Sequence, residues 1–156
     1  MSSSGVSYAD VGIVDVRFGN DVRIVRPANL YGCCIGDRTF IGPFCEIQRD
    51  VVIGSDCRIQ SHSFVCELVT MGDRCFIGHG TMFVNDLFSS GGPAMGDRGK
   101  WLPTRIGDDV SIGSNSTVLP VEIANGVVVG AGAVVTHDLL VKGIYAGNPA
   151  RLLRTL

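Results

Sequence analysis

The sequence has little charge, few histidines, no long apolar run and no helical rhythm. Charged residues make up 18% of its 156 positions and nearly cancel, 13 basic against 15 acidic for a net charge of −2. That balance leaves no basic stripe to follow a phosphate backbone, so nucleic acid is not expected as a partner. No apolar stretch is long enough to cross a bilayer, and the opening MSSSG has neither the basic start nor the apolar core of a secretory signal. A soluble cytoplasmic protein with no membrane attachment is expected. The length suits one domain, residues 1–156, burying roughly two-thirds of its unfolded surface. Six cysteines would suggest disulfides by number. They fall on a repeat, however, and intracellular thiols stay reduced, so free structural thiols are expected.

What the sequence does have is a period of six. Steps of six from Ile35 land on Ile41, Ile47, Ile53, Ile59, Val65, Met71, Ile77 and Phe83. At 46% apolar content, nine hits in fixed register arise by chance about once in a thousand trials. Glycine follows at Gly36, Gly42, Gly54, Gly72 and Gly78, which suits a chain that turns sharply after each short extended segment. The fourth residue after each apolar position is small or β-branched: Thr39, Cys45, Val51, Cys57, Ser63, Val69, Cys75 and Thr81. Cys45, Cys57 and Cys75 are therefore read as compact fillers of a tight inner slot. Phe18, Ile24 and Leu30 keep the step upstream and reach Ile35 by a step of five. The register resumes at Ile106, Ile112 and Val118, then slips by one to Ile123, Val129 and Val135. The pattern predicts an all-β stack of short parallel strands, each pairing one coil away, about 4.8 Å along the axis.

Two segments break the repeat. A glycine-rich insertion at about 86–105, carrying Pro93 and Pro103, must leave the coil; Met95 and Trp101 within it argue against pure disorder. It is expected to fold as a flap over a site, or to make a protomer contact. The tail from about 144 to 156 is expected to close the stack as a cap.

The pairs Ile35-Gly36, Ile41-Gly42, Ile53-Gly54 and Ile77-Gly78 resemble the hexapeptide-repeat transferases. That resemblance spans about Val11 to Arg154 and implies a single-stranded left-handed parallel β-helix with three hexads per coil. The handedness comes from the resemblance alone, because parallel crossovers are normally right-handed. The tail Ile144-Tyr-Ala-Gly-Asn-Pro-Ala-Arg151 is similar to the closing signature of acetyl-CoA-using members, where it lies beside the adenosine end. Pro149 would fix the chain's exit, while Asn148 and Arg151 become cofactor-binding candidates, Arg151 toward a phosphate.

The strings GPFCEIQ, IQSHSFVCELV and GHGTMFVND look like the branch that N-acetylates UDP-linked 3-amino sugars for surface polysaccharides such as lipopolysaccharide. The likeness implies His79 and Asn85 at the catalytic site and Glu46, Gln48 and His62 near the sugar nucleotide. It also implies acetyl-CoA as co-substrate, no metal, and a homotrimer with sites between protomers. Acyl transfer to an amine needs a proton acceptor, and His79 stands directly before the insertion, where a rigid scaffold presents working residues. Gly113, Ser114, Gly130 and Ala131 are candidates for the groove holding the coenzyme's pantetheine arm, since small residues let a ligand lie along a coil; ordinary repeat packing explains them equally well. His137 is given no role. Two rivals share the solenoid. A γ-carbonic-anhydrase-like zinc enzyme needs three ligands, and Val84 occupies the place of one of them. A non-catalytic scaffold subunit would not need the flap.

Overall fold

The computed structural model describes Ser7 and residues 9–156; the polar opening MSSSG lies outside the described residues. No α-helix occurs among them. Nearly every strand is two or three residues long, and the strands stack into three sheets of seven, six and eight members. Consecutive strands along the chain visit the three sheets in turn, so each sheet is one side of a prism of about seven coils, consistent with a left-handed β-helix. We call them the first sheet (containing Glu46–Ile47, Phe64–Val65 and Met82–Phe83), the second (Val52–Ile53, Val69–Met71) and the third (Arg58–Ile59, Phe76–Ile77).

The apolar period is the core column. Ile35 stacks on Ile53, Ile41 on Ile59 and Ile47 on Val65, with Ile41, Ile47, Ile59, Val65 and Ile77 fully buried. Complete burial of each such side chain stabilises by roughly 1.5–3 kcal/mol relative to exposure. Both register slips are real pairings: Phe18 opposes Ile35 upstream, and Ile123, Val129 and Val135 oppose Ile106, Ile112 and Val118 downstream. Phe18 itself is exposed, since its coil ends the stack. Met71 pairs directly with Ile106, so the intervening chain is accommodated by expelling the insertion without disturbing the stack.

The inner slot has a function that volume alone does not explain. Thr39 Oγ1 donates to Gly54 O at 2.8 Å, Cys45 Sγ to Gln60 O at 3.1 Å, Cys57 Sγ to Gly72 O at 3.2 Å and Ser63 Oγ to Gly78 O at 3.0 Å. A hydroxyl or thiol there satisfies a buried carbonyl of the next coil. All six cysteines are free.

The glycines after the isoleucines do something other than turn the chain. None of Gly36, Gly42, Gly54, Gly72 and Gly78 has a positive φ; the left-handed residue comes two positions later, at Arg38, Phe44, Asp50, Asp56, His62, Leu68 and Arg74, every sixth residue, with φ between 55° and 73°. A Cβ on Gly36 would lie 2.5 Å from Gly54 C, and one on Gly78 2.5 Å from Ser114 N. Glycine is required there because the next coil's backbone passes through the space a side chain would fill. Turning is left to residues that accept a left-handed conformation at about 1–2 kcal/mol each.

The tail forms an antiparallel hairpin, Gly143–Ala146 with Arg151–Thr155, that joins the edge of the third sheet beside Val128–Val129. No helix among the described residues is long and apolar enough to cross a membrane.

Two outcomes follow. Ile59→Asp should lower stability by more than about 4 kcal/mol and Ile59→Val by about 1 kcal/mol in urea unfolding followed by circular dichroism; equal midpoints for both variants would refute the buried column. Burial pushes the Cys33 thiol up to about 11 and Cys66 up to about 12, and Cys34 alone is only half-buried. A thiol titration with a chromogenic disulfide at pH 8 should find one fast group in the folded chain and all six after denaturation.

Candidate active site

Stacking turns the loops between the third and first sheets into a continuous edge. Along it the turn residues of successive coils superpose: His62 N donates to Pro43 O at 3.1 Å, Gly80 N to Ser61 O at 3.0 Å, Asn115 N to His79 O at 2.8 Å and Gly132 N to Ser114 O at 2.8 Å. His79 therefore stands over Ser61 and under Ser114, with its imidazole exposed.

Ser61 Oγ lies 2.8 Å from His79 Nδ1. With the neutral-ring proton on Nδ1, the serine oxygen accepts it and the Nε2 lone pair faces away from the edge's own partners. Sequence reading missed Ser61, although the eighteen-residue coil that sets His62 beneath Gly80 also sets Ser61 beneath His79. His62 lies on the same edge one coil below and makes a different contact, stacking on Phe44 with ring centroids 4.9 Å apart at 29°. His137 is exposed and bonds its neighbour Thr136 at 2.7 Å.

Several of the other predicted residues lie on the same edge. Gly113, Ser114, Gly130 and Ala131 occupy its coils beyond His79, and Asn148 follows in the turn of the final hairpin, which is fastened by Val134 N donating to Gly147 O at 2.9 Å. A Cβ on Gly113 would come within 2.4 Å of Ala131 N and one on Gly130 within 3.1 Å of Ala146 Cβ. Coil packing alone requires glycine at 113, and at 130 it leaves a tight fit against Ala146. Arg151 opens the last strand, exposed, with its guanidinium donating to Ala150 O at 3.2 Å.

Glu46, Gln48 and Asn85 gather elsewhere, across the first sheet and at its far edge, where the chain turns toward the second sheet. Gln48 Nε2 donates to Glu46 Oε1 at 2.9 Å, and the Tyr31 hydroxyl donates to the same oxygen at 3.3 Å. Burial and then the Glu46 carboxylate hold the Tyr31 phenol above its ordinary range. Asn85 is the neck of the insertion: its carbonyl accepts from Leu102 N at 2.9 Å, and its Nδ2 donates to Glu67 O at 3.2 Å. His79 and Asn85 thus stand at opposite edges of one sheet face, with Met82–Phe83 between them, and a single chain does not bring them together. Glu67, buried between Gln48 and Asn85, and Asp86, whose carboxylate accepts from Phe88 N at 2.9 Å and Ala94 N at 2.6 Å to fold the insertion, were absent from the sequence reading. Among the described residues, no three histidine, cysteine or carboxylate side chains are grouped to hold a metal ion.

The six-residue repeat and the three-sided prism define a β-solenoid, and comparison with known proteins finds hexapeptide-repeat proteins similar to it. Residues 32–67 match the bacterial transferase hexapeptide model, and residues 103–137 match the hexapeptide repeat of succinyl-transferase. The chain is similar to AntD, an N-acyltransferase from Bacillus cereus, solved as a variant with dTDP-4-amino-4,6-dideoxyglucose and coenzyme A: TM-score 0.80, 29% identity, 89% of this chain and 82% of that one. It also resembles a hexapeptide-repeat acetyltransferase from Vibrio cholerae complexed with acetyl-CoA, with TM-score 0.61, 27% identity and coverage of 83% and 70%. By sequence it is 29% identical over 120 residues to the bifunctional protein GlmU of Clostridium perfringens, covering 74% of this chain. The chain spans only 23% of the length of that relative.

Proposed function

We propose that this chain is an acetyl-CoA-dependent N-acetyltransferase acting on the amine of a nucleotide-linked amino sugar, a UDP-3-amino sugar by its motifs, in surface polysaccharide biosynthesis. It works in the cytoplasm as a homotrimer and uses no metal. The observation that carries this reading is the exposed His79 ring, engaged through Nδ1 by Ser61 at 2.8 Å, on an edge whose later coils are lined by small residues. The likeness to an N-acyltransferase solved with coenzyme A and a dTDP-amino sugar supports it.

The order along the edge divides the work. Acetyl-CoA lies on the C-terminal side, with its pantetheine arm along Ser114 and Ala131 and its adenosine end near Asn148 and Arg151. The amino sugar approaches the edge from the side of His62, and Glu46 and Gln48 meet it from the far edge of the sheet face. The neutral amine attacks the thioester carbonyl, the C–N bond forms, and the C–S bond breaks as the tetrahedral intermediate collapses. Nε2 of His79 takes the proton that the nitrogen loses, and Ser61 steadies the resulting imidazolium by accepting from Nδ1–H. The departing thiolate then receives that proton, which leaves His79 neutral for the next turnover. The flap and Asn85 belong to the opposite edge of the same face, so a three-fold arrangement sets one copy's His79 edge against another's flap and completes the site between protomers.

His79→Ala should lower kcat by about 10²- to 10⁴-fold and Ser61→Ala by roughly tenfold, measured as thiol release from acetyl-CoA. A near-normal rate for His79→Ala removes the base role. A panel of UDP- and dTDP-linked amino sugars decides the acceptor: the highest kcat/KM is expected for a UDP-linked 3-amino sugar. Zinc near one equivalent per chain by elemental analysis would instead favour a metal enzyme.

A further inference from the structure

The flap has almost no core of its own. Ala94 is buried, whereas Leu87, Phe88, Met95 and Leu102 are exposed, Met95 at 88%. Its neck is tied at Asn85 and its interior by Asp86. Its far end is a short turn, Arg98–Lys100, capped by the Asp97 carboxylate accepting from Gly99 N at 3.1 Å. From that turn Arg98 reaches back to the prism and pairs with Asp50 and, at 2.9 Å, with Glu67 Oε2.

The two acids are not equivalent. Asp50 is exposed, and an ion pair there contributes little. Glu67 is the one buried carboxylate among the described residues; its Oε2 makes no hydrogen bond, and the Arg98 contact is an ion pair without hydrogen-bond geometry. Arg49 approaches its other oxygen at 3.5 Å. A buried carboxylate is unfavourable without compensating charge, and besides Arg49 the Glu67 carboxylate gains a second cation, nearer at 2.9 Å, from the flap. Its main chain, meanwhile, is held by two candidate site residues. Glu67 N–H donates to Gln48 Oε1 at 3.3 Å, and its carbonyl accepts from Asn85 Nδ2 at 3.2 Å. Gln48 in turn holds Glu46 at 2.9 Å.

We propose that Glu67 is a positioning residue for the amino-sugar side of the site and Arg98 its latch: when the flap docks, Arg98 neutralises Glu67 and fixes the segment that orients Gln48, Glu46 and Asn85. Loss of the latch frees the flap and loosens those three groups together. The acyl-donor edge, on the other side of the first sheet, is untouched. This inference rests on the functional reading above, in which Glu46 and Gln48 serve the acceptor and Asn85 stands at the catalytic site.

The chain's single tryptophan, Trp101, directly follows the latch turn and reports on the flap alone. Acrylamide quenching of its fluorescence should rise at least about twofold in Arg98→Ala and in Glu67→Gln, and Arg98→Lys should fall between these and the parent. With UDP-2-acetamido-3-amino-2,3-dideoxyglucuronate as the probe, both charge-removing variants should raise the acceptor KM roughly tenfold, while the KM for acetyl-CoA stays within about twofold. The double variant should match either single one, because both remove the same interaction. Unchanged quenching overturns the latch. Raised quenching with an unchanged acceptor KM overturns the positioning role. If the unaltered chain acetylates no sugar, the functional reading fails, and quenching still decides whether Arg98 holds the flap.

Discussion

One constraint governs the molecule: successive coils approach so closely that at the corners where glycine follows the core residue no side chain fits between their backbones. A Cβ on Gly36, Gly54 or Gly78 would fall within about 2.5 Å of the neighbouring coil's main chain. Everything else is arranged around that approach. The isoleucine column fills the prism, hydroxyls and thiols such as Thr39 and Cys57 satisfy the inward carbonyls, and left-handed residues at every sixth position bring the chain around. No coil has a sheltered interior by itself, so the stack gains stability from nearest neighbours, as repeat proteins do.

Superposition also builds the site. Because each turn repeats directly above the last, residues eighteen apart become vertical neighbours, and Ser61 meets His79 without any specific loop fold to place it. The edge is rigid because it is a ladder of backbone hydrogen bonds, and the base role proposed for His79 would need little reorganisation there. The insertion supplies the opposite property. It leaves the stack at Asn85, returns at Thr104, and keeps most of its apolar side chains in solvent. The candidate residues thus divide between a fixed edge with His79 and the neck of a flap held by a few polar contacts.

The column from Ile35 to Phe83, both one-residue slips, the inner slot and the ejected insertion were all readable, because period and volume are written directly in the order of residues. Handedness was not, since both hands give the same period. The glycines were misread as turning points because a glycine after a strand usually marks one; here the turn falls two residues later, on Asp56 but equally on Arg38, Phe44 or Arg74, which carry no turn signature. Glu67 was invisible for a different reason. Its importance arises from Arg98, thirty-one positions away and brought near by an irregular path that no periodicity describes. Gly113 lies on the expected edge, but packing explains it, so its identity carries no message about a ligand.

The central claim is that the His79 edge is where acyl donor and amine meet. A crystal structure of the chain with coenzyme A tests it most directly. The account predicts the coenzyme's sulfur within about 4 Å of the His79 ring, close to hydrogen-bond reach, with the pantetheine arm running past Ser114 and Ala131 toward Asn148. Coenzyme bound on another face of the prism, with the His79 edge empty, would contradict it.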